Sequence, residues 1–275
     1  MGVDSGRHKP DLLSAASVEG LLPLRAGSRG TGDNRTITDL DYGAFDAFTF
    51  DCYGTLIDWE AGIVAGLRAT LAGHEIDRTD DELLEAYATA EARLESGPYL
   101  PYRTILASAA RTVGRDLGIE VEDDAAGRFG GSVGDWPAFD DSTRSLKQLR
   151  RRYRLGVLTN CDDDLFAASS RRLGVEFDWV ITAQQLGAYK PNPHNFEALR
   201  ERLHRDGIAA ARILHVAQSL FHDHVPAKKL GFSTVWIDRR HDRPGAGASP
   251  PADAHPDATF PSMAAFAAAA VAERA

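Results

Sequence analysis

Short apolar runs alternate with amphipathic stretches along this chain, and one long purely helical stretch interrupts them. Ala47-Phe48-Thr49-Phe50 is a mostly apolar run that predicts a buried strand, ending at Asp51-Cys52-Tyr53-Gly54-Thr55. From about Asp58 to Trp136 the spacing is helical. Leu67 and Leu71, then Leu83, Leu84, Tyr87 and Ala90, then Ile105, Leu106, Ala109 and Val113 recur at three- and four-residue intervals. Turns at Gly97-Pro98 and Gly130-Gly131 punctuate them.

After Trp136-Pro137 helix and strand take turns. Helices are expected over Ser142–Arg152, Asp163–Leu173, Asn195–Leu203 and Pro226–Leu230, and strands follow them over Leu155–Leu158, Trp179–Ile181, Ile213–Val216 and Thr234–Ile237. Pro244–Pro256 reads as a loop and Ser262–Val271 as an Ala-rich packing helix. Such alternation builds a parallel sheet with helices on both faces. Ligands on such sheets bind beyond the carboxyl ends of the strands. That directs attention to Asp51, to Thr159-Asn160, to Lys190 and to the stretch from Gln218 to Asp223.

Those positions carry four motifs in order: Phe50-Asp51-Cys52-Tyr53-Gly54-Thr55-Leu56, Leu158-Thr159-Asn160, Tyr189-Lys190-Pro191, and Val216-Ala217-Gln218-Ser219 through Asp223. Together they resemble the haloacid dehalogenase superfamily, over about Phe45 to Arg239. The resemblance implies a Rossmann-like three-layer α/β core, residues 43–57 plus 137–275, with a parallel sheet. Residues 58–136 would form an inserted helical cap domain. Residues 1–42, rich in Gly, Ser, Arg and Asp, read as a flexible extension.

Two details select a branch. Phosphatases of this superfamily carry an Asp two residues after the nucleophile, where this chain has Tyr53, and a magnesium-holding Asp where it has Gln218. Magnesium favours carboxylates and waters in an octahedron. Both departures resemble the 2-haloacid dehalogenase branch, which uses no metal. The implied reaction is attack of Asp51 on the α-carbon of a small 2-substituted carboxylic acid, foremost a 2-haloacid. Water then hydrolyses the aspartyl ester to give the 2-hydroxy acid. Lys190 would lower the pKa of Asp51, Asp223 would pair with Lys190 or orient water, and Thr55 would hold the nucleophile. Tyr53, Thr159, Asn160, Gln218, Ser219, Tyr102, Arg103 and Phe196 would contact substrate. Neither metal nor other cofactor is expected. Relatives of the family open strained cyclic amino acids by the same attack, so a C–N hydrolase is the alternative. A metal-dependent phosphatase and a non-catalytic binding protein stand further off.

The same residues have plainer readings. Asp51 alone could be a helix cap, Lys190 a surface lysine, and Asn160 a cap for the helix from Asp163. Asp162, Asp163 and Asp164 read as charges complementing that helix's dipole. His215, His222 and His224 invite a metal reading but lack further ligands at metal spacing. Cys52 and Cys161 read as buried, inert thiols. One departure touches the leaving group. Dehalogenases of the family hold the departing halide with an arginine on the second cap helix, and Leu83 to Ala90 contains none. Arg93 and Arg103 are the substitutes. Glu85, Glu91 and Glu95 read as solvated helix-face charges, or as groups meeting a cation if the leaving group is an amine.

Composition narrows the partners. The chain has 275 residues with 43% hydrophobic and 26% charged, enough for a sizeable core. Its 2 Cys exclude a disulfide scaffold. A net charge of -9 disfavours nucleic acid, and no apolar run is long enough to span a membrane. A cytoplasmic enzyme acting on a small acid is expected, and similar proteins are often homodimers.

Overall fold

The computed structural model describes residues 40–243 and 247–272. The chain runs β1 (Ala47–Phe50), then four helices, α1 (Trp59–Thr70), α2 (Asp80–Glu95), α3 (Tyr102–Asp116) and α4 (Asp123–Gly130). It continues α5 (Ser142–Leu149), β2 (Arg154–Thr159), α6 (Asp163–Leu173), β3 (Trp179–Thr182), α7 (Ala183–Leu186) and α8 (Pro193–Arg205). The last elements are β4 (Ile213–Ala217), α9 (Val225–Lys229), β5 (Ser233–Ile237), β6 (Ala258–Phe260) and α10 (Met263–Val271). The strands form one six-stranded sheet in the order β3-β2-β1-β4-β5-β6, and every pair is parallel.

Both faces of a parallel sheet are covered, so neighbouring residues of one strand enter different cores. Phe48, Val157 and Leu214 lie in an apolar cluster with Leu146, Leu149, Phe166 and Phe266 of α5, α6 and α10. Their neighbours Ala47, Leu158 and Ile213 lie in a second cluster with Phe196, Leu199 and Phe232. The two-residue alternation of the strands sets this division.

The helical insert leaves the sheet and returns to it through paired segments. The Asp58 N–H donates to the Pro137 carbonyl at 2.8 Å, and Ile57 bridges Ala138 in antiparallel fashion. A capping box starts α2, with Thr79 accepting from the Glu82 N–H and the Glu82 carboxylate accepting from the Thr79 N–H. α1 comes so close to the returning chain that only glycine fits. A Cβ on Gly62 would stand 2.3 Å from the Trp136 ring.

Three expectations shift. Tyr42, assigned to the flexible extension, is buried and packs edge-on against Phe266 at 6.1 Å, and Leu40 also packs against the core; residues 1–39 of that reading lie outside the described residues. The helix expected to Arg152 ends at Leu149. β6 is an additional strand too short to show a period. Its entry is fixed by Asp257, whose carboxylate accepts from the Thr234 N–H at 2.7 Å and the Lys228 ammonium at 2.8 Å.

Gly62→Ala should destabilise the fold by about 1–3 kcal/mol through overpacking against Trp136, read as a lower denaturant midpoint at unchanged slope.

Candidate active site

The motif residues converge because β1, β2 and β4 end side by side. The Asp51 N–H still pairs with the Val216 carbonyl at 3.1 Å, which fixes the carboxylate at the edge of the sheet. Lys190 Nζ donates to Asp51 Oδ1 at 2.8 Å, to Asp223 Oδ1 at 2.8 Å and to the Leu158 carbonyl at 3.0 Å. Thr55 Oγ1 donates to Asp51 Oδ2 at 2.7 Å and accepts from the Gln218 N–H at 2.9 Å. From inside the sheet, His215 Nε2 meets Asp223 Oδ1 at 3.0 Å while its Nδ1 meets Thr49 Oγ1 at 3.0 Å. Asn160 clips the lysine's backbone: Oδ1 accepts from Lys190 N at 2.7 Å and Nδ2 donates to Lys190 O at 3.1 Å. Gly54 turns the chain after Asp51 at φ +88°, a left-handed value that suits glycine.

One buried ammonium therefore serves two buried carboxylates. Burial by itself would lower the Lys190 pKa, but Asp223 and Asp51 together raise it, so the lysine stays charged. Burial works to raise Asp223, yet Lys190 and His215 hold it well below the usual carboxylate range. Asp51 goes the other way. Burial raises its pKa by more than Lys190 lowers it, and the Asp223 charge raises it further. Lys190 lowers the Asp51 pKa as expected, but desolvation outweighs that pull and sets the net direction.

A narrow cleft opens over Asp51. Lys190, Asp223, Asn160, Ser219 and His222 line it from the sheet side, and Tyr53, Trp59 and Ser249 form further walls. The insert contributes Tyr102, Glu91 and Glu95. Tyr53 is a wall whose hydroxyl is engaged by Ser169 Oγ at 3.0 Å and by the Cys161 thiol at 3.3 Å. Burial lowers the His222 pKa to about 4, so its imidazole is neutral at pH 7. Burial raises the Glu91 carboxyl to about 7. Glu95 is raised by burial and by the Glu91 charge, against the pull of Lys190.

A family model for haloacid dehalogenase-like hydrolases matches residues 45–219. The chain belongs to that family. Solved structures agree on the fold. A defluorinating L-2-haloacid dehalogenase superposes with a TM-score of 0.69 at 20% identity, covering 83% of this chain and 96% of that one. The L-2-haloacid dehalogenase of Xanthobacter autotrophicus with chloropropionic acid covalently bound gives 0.67 at 20% identity, covering 81% and 97%. Among curated relatives, a glyceraldehyde 3-phosphate phosphatase of Methanothermobacter thermautotrophicus is 32% identical over 103 residues, 36% of this chain and 44% of that one. The Drosophila melanogaster rhythmically expressed gene 2 protein is 26% identical over 111 residues, 38% and 43%. The chain thus spans less than half the length of the curated relatives it matches.

Several residues marked as contacts in this haloacid dehalogenase-like hydrolase sit elsewhere. Thr159 is fully buried with its hydroxyl unpartnered. Phe196 is in the second core cluster, edge-on to His215 at 5.0 Å. The Gln218 side chain accepts from Ser249 Oγ at 3.1 Å and lines a neighbouring hollow, while its backbone N–H holds Thr55. Asn160 reaches the cleft, but its amide is spent on Lys190. Arg93 is exposed. Arg103 pairs with Asp164 at 2.5 Å and Asp162 at 3.5 Å, outside the cleft. Among the described residues no arginine lines the cleft.

The three histidines do not converge either: His215 orients Asp223, His222 lines the cleft, and His224 Nε2 meets the Ala217 carbonyl at 3.0 Å. Cys52 and Cys161 are buried free thiols with pKa values raised by burial.

The aspartates after Asn160 do more than complement the α6 dipole. The Asp162 carboxylate accepts from the Tyr102 N–H at 2.8 Å and the Arg103 N–H at 3.1 Å, capping α3 across the chain and holding Tyr102 at the cleft that Asp51 also lines. Glu91, Glu95, Trp59, His222, Ser249 and His215 were not assigned to the site from sequence. Glu91 and Glu95 follow Tyr87 at four-residue steps, a spacing that places all three on one helix face.

An attacking carboxylate must be ionised, so if Asp51 carries the reaction, activity should fall as pH drops through its raised pKa. The acid limb of kcat/KM should lie clearly above pH 4, the ordinary carboxylate value; a limb at or below pH 4 would contradict this electrostatic picture. Asp162→Ala should cost about 1–2 kcal/mol of stability and Asp162→Asn much less, since Asn also caps. Chemical denaturation of the two variants checks it.

Proposed function

We propose that this hydrolase displaces a substituent from the α-carbon of a small 2-substituted carboxylic acid through an ester on Asp51, with the helical insert acting as a cap over the core. A 2-haloacid is the reference substrate. The observation that carries this reading is the Asp51 carboxylate, held by Lys190 and Thr55 on the floor of the cleft with Tyr53 on its wall. Tyr53 occupies the position at which a phosphatase of the family keeps its proton donor, and its hydroxyl is turned to Ser169 and Cys161.

An Asp51 oxygen forms a bond to the α-carbon, and the leaving group departs with the electron pair of the broken bond. Water adds to the ester carbonyl of Asp51, and the neutral imidazole of His222 takes its proton, the adjacent Asp223 charge favouring the imidazolium. The ester bond then breaks, the imidazolium of His222 returns its proton to the departing alkoxide, the hydroxy acid leaves and the Asp51 carboxyl ionises again, releasing the second water proton. The net change is one water consumed and one proton released with the leaving group. The covalent chloropropionic acid complex of the Xanthobacter autotrophicus enzyme supports this path by likeness of fold.

Magnesium chemistry fits this donor set poorly. Asp51 Oδ1 and Asp223 Oδ1 both face the Lys190 ammonium, and the neutral amide of Gln218 is turned to Ser249.

In a single turnover in oxygen-18 water with 2-chloropropionate, the label should enter Asp51 and not the first product. Turnover should survive exhaustive chelation, and Asp51→Asn should lower it by about three or more powers of ten. Label in the first product would mean direct attack by water.

A further inference from the structure

The charges on the cleft wall do not balance. Asp51, Asp223, Glu91 and Glu95 face it, against one lysine already shared by two of them. Glu91 and Glu95 are four residues apart on α2, so their carboxyl groups share one face on successive turns. Glu91 is only 6% exposed, and its Oε1 accepts from Tyr87 at 2.7 Å and Tyr102 at 2.8 Å. These bonds hold the carboxyl in place at the cleft. Neighbouring buried carboxyls repel one another, and cost stability unless a cation joins them. Among the described residues no arginine lines the cleft to supply that cation: Arg93 is exposed and Arg103 is bound to Asp162 and Asp164 outside. Three aromatic side chains, Tyr53, Trp59 and Tyr102, complete the wall, and aromatic faces attract a desolvated cation.

We infer that the Glu91–Glu95 pair is a recognition site for an ammonium group, and that the substrate attacked by Asp51 is an amino-substituted carboxylic acid. The inference rests on the displacement chemistry proposed above and names its substrate class. A bound ammonium supplies the missing positive charge and restores full ionisation to both glutamates. An anionic leaving group departing toward α2 would instead meet two carboxyls, where a halide needs a cation. The same site suits a ring ammonium as the leaving group: the C–N bond breaks, the nitrogen keeps the electron pair, and it leaves as an amine already bearing a proton.

The test separates recognition from chemistry. Full-length Asp51→Asn is titrated calorimetrically with 2-chloropropionate, 3-amino-2-chloropropionate and azetidine-2-carboxylate. The two ammonium-bearing acids should bind at least about tenfold more tightly than 2-chloropropionate. Adding Glu91→Gln or Glu95→Gln should remove most of that preference without weakening 2-chloropropionate. Glu95, half-buried, keeps the test open if Glu91→Gln does not fold. Equal affinity for charged and neutral acids, or a preference that survives both substitutions, overturns the ammonium site. Label transfer to Asp51 of the unmodified chain is read separately. Transfer from 2-chloropropionate with no ammonium preference would remove this inference and leave the ester mechanism; an ammonium preference without label transfer would keep the Glu91–Glu95 site and remove attack by Asp51.

Discussion

A buried ammonium between two buried carboxylates is the constraint on which the rest of the site depends. Lys190 is 2% exposed and touches both Asp51 and Asp223 at 2.8 Å. An unpaired charge at that depth would cost several kcal/mol, so its backbone, neighbours and counter-charges must all be placed together. Asn160 fixes the lysine's backbone on both sides, the Leu158 carbonyl takes a third ammonium proton, and the His215–Thr49 pair braces Asp223 from within the sheet. The asymmetry of this bracing separates the two aspartates: Asp223 has histidine and lysine and stays ionised, whereas burial raises Asp51. A carboxylate whose charge is unfavourable where it stands is a more reactive nucleophile than a fully solvated one.

Closure of the cleft follows from a second electrostatic arrangement. The orphan N–H groups at the start of α3 are satisfied by Asp162, which belongs to the loop after β2 and not to the insert. The same loop carries Asn160, so the backbone that positions Lys190 also seats Tyr102 at the cleft. Tyr102 in turn donates to Glu91. Asp51, Lys190 and the acidic wall of the insert are thereby linked through a handful of hydrogen bonds. The fold places the family's reaction centre beneath a wall whose charge is opposite to what a departing halide would favour.

Much of this was legible in the chain itself. The alternation of apolar runs and amphipathic helices dictated the parallel sheet, because a strand covered on both faces and a helix packed on one leave different periods in the sequence. The order of four motifs at strand ends placed Asp51, Thr55, Lys190 and Asp223 together, since strands of a parallel sheet all end on the same side. Tertiary structure decided what local pattern does not encode. Arg103 looked like a free cation, but two aspartates some sixty positions away neutralise it. Thr159 and Phe196 belong to motif neighbourhoods and yet face the interior. Glu91 and Glu95 look like solvent charges in the sequence of a polar helix, and only the packing of α2 against α3 and α1 turns them toward the cleft. Periodicity fixes which face a residue occupies; what that face meets, and with which sign of charge, depends on contacts between segments far apart in the chain.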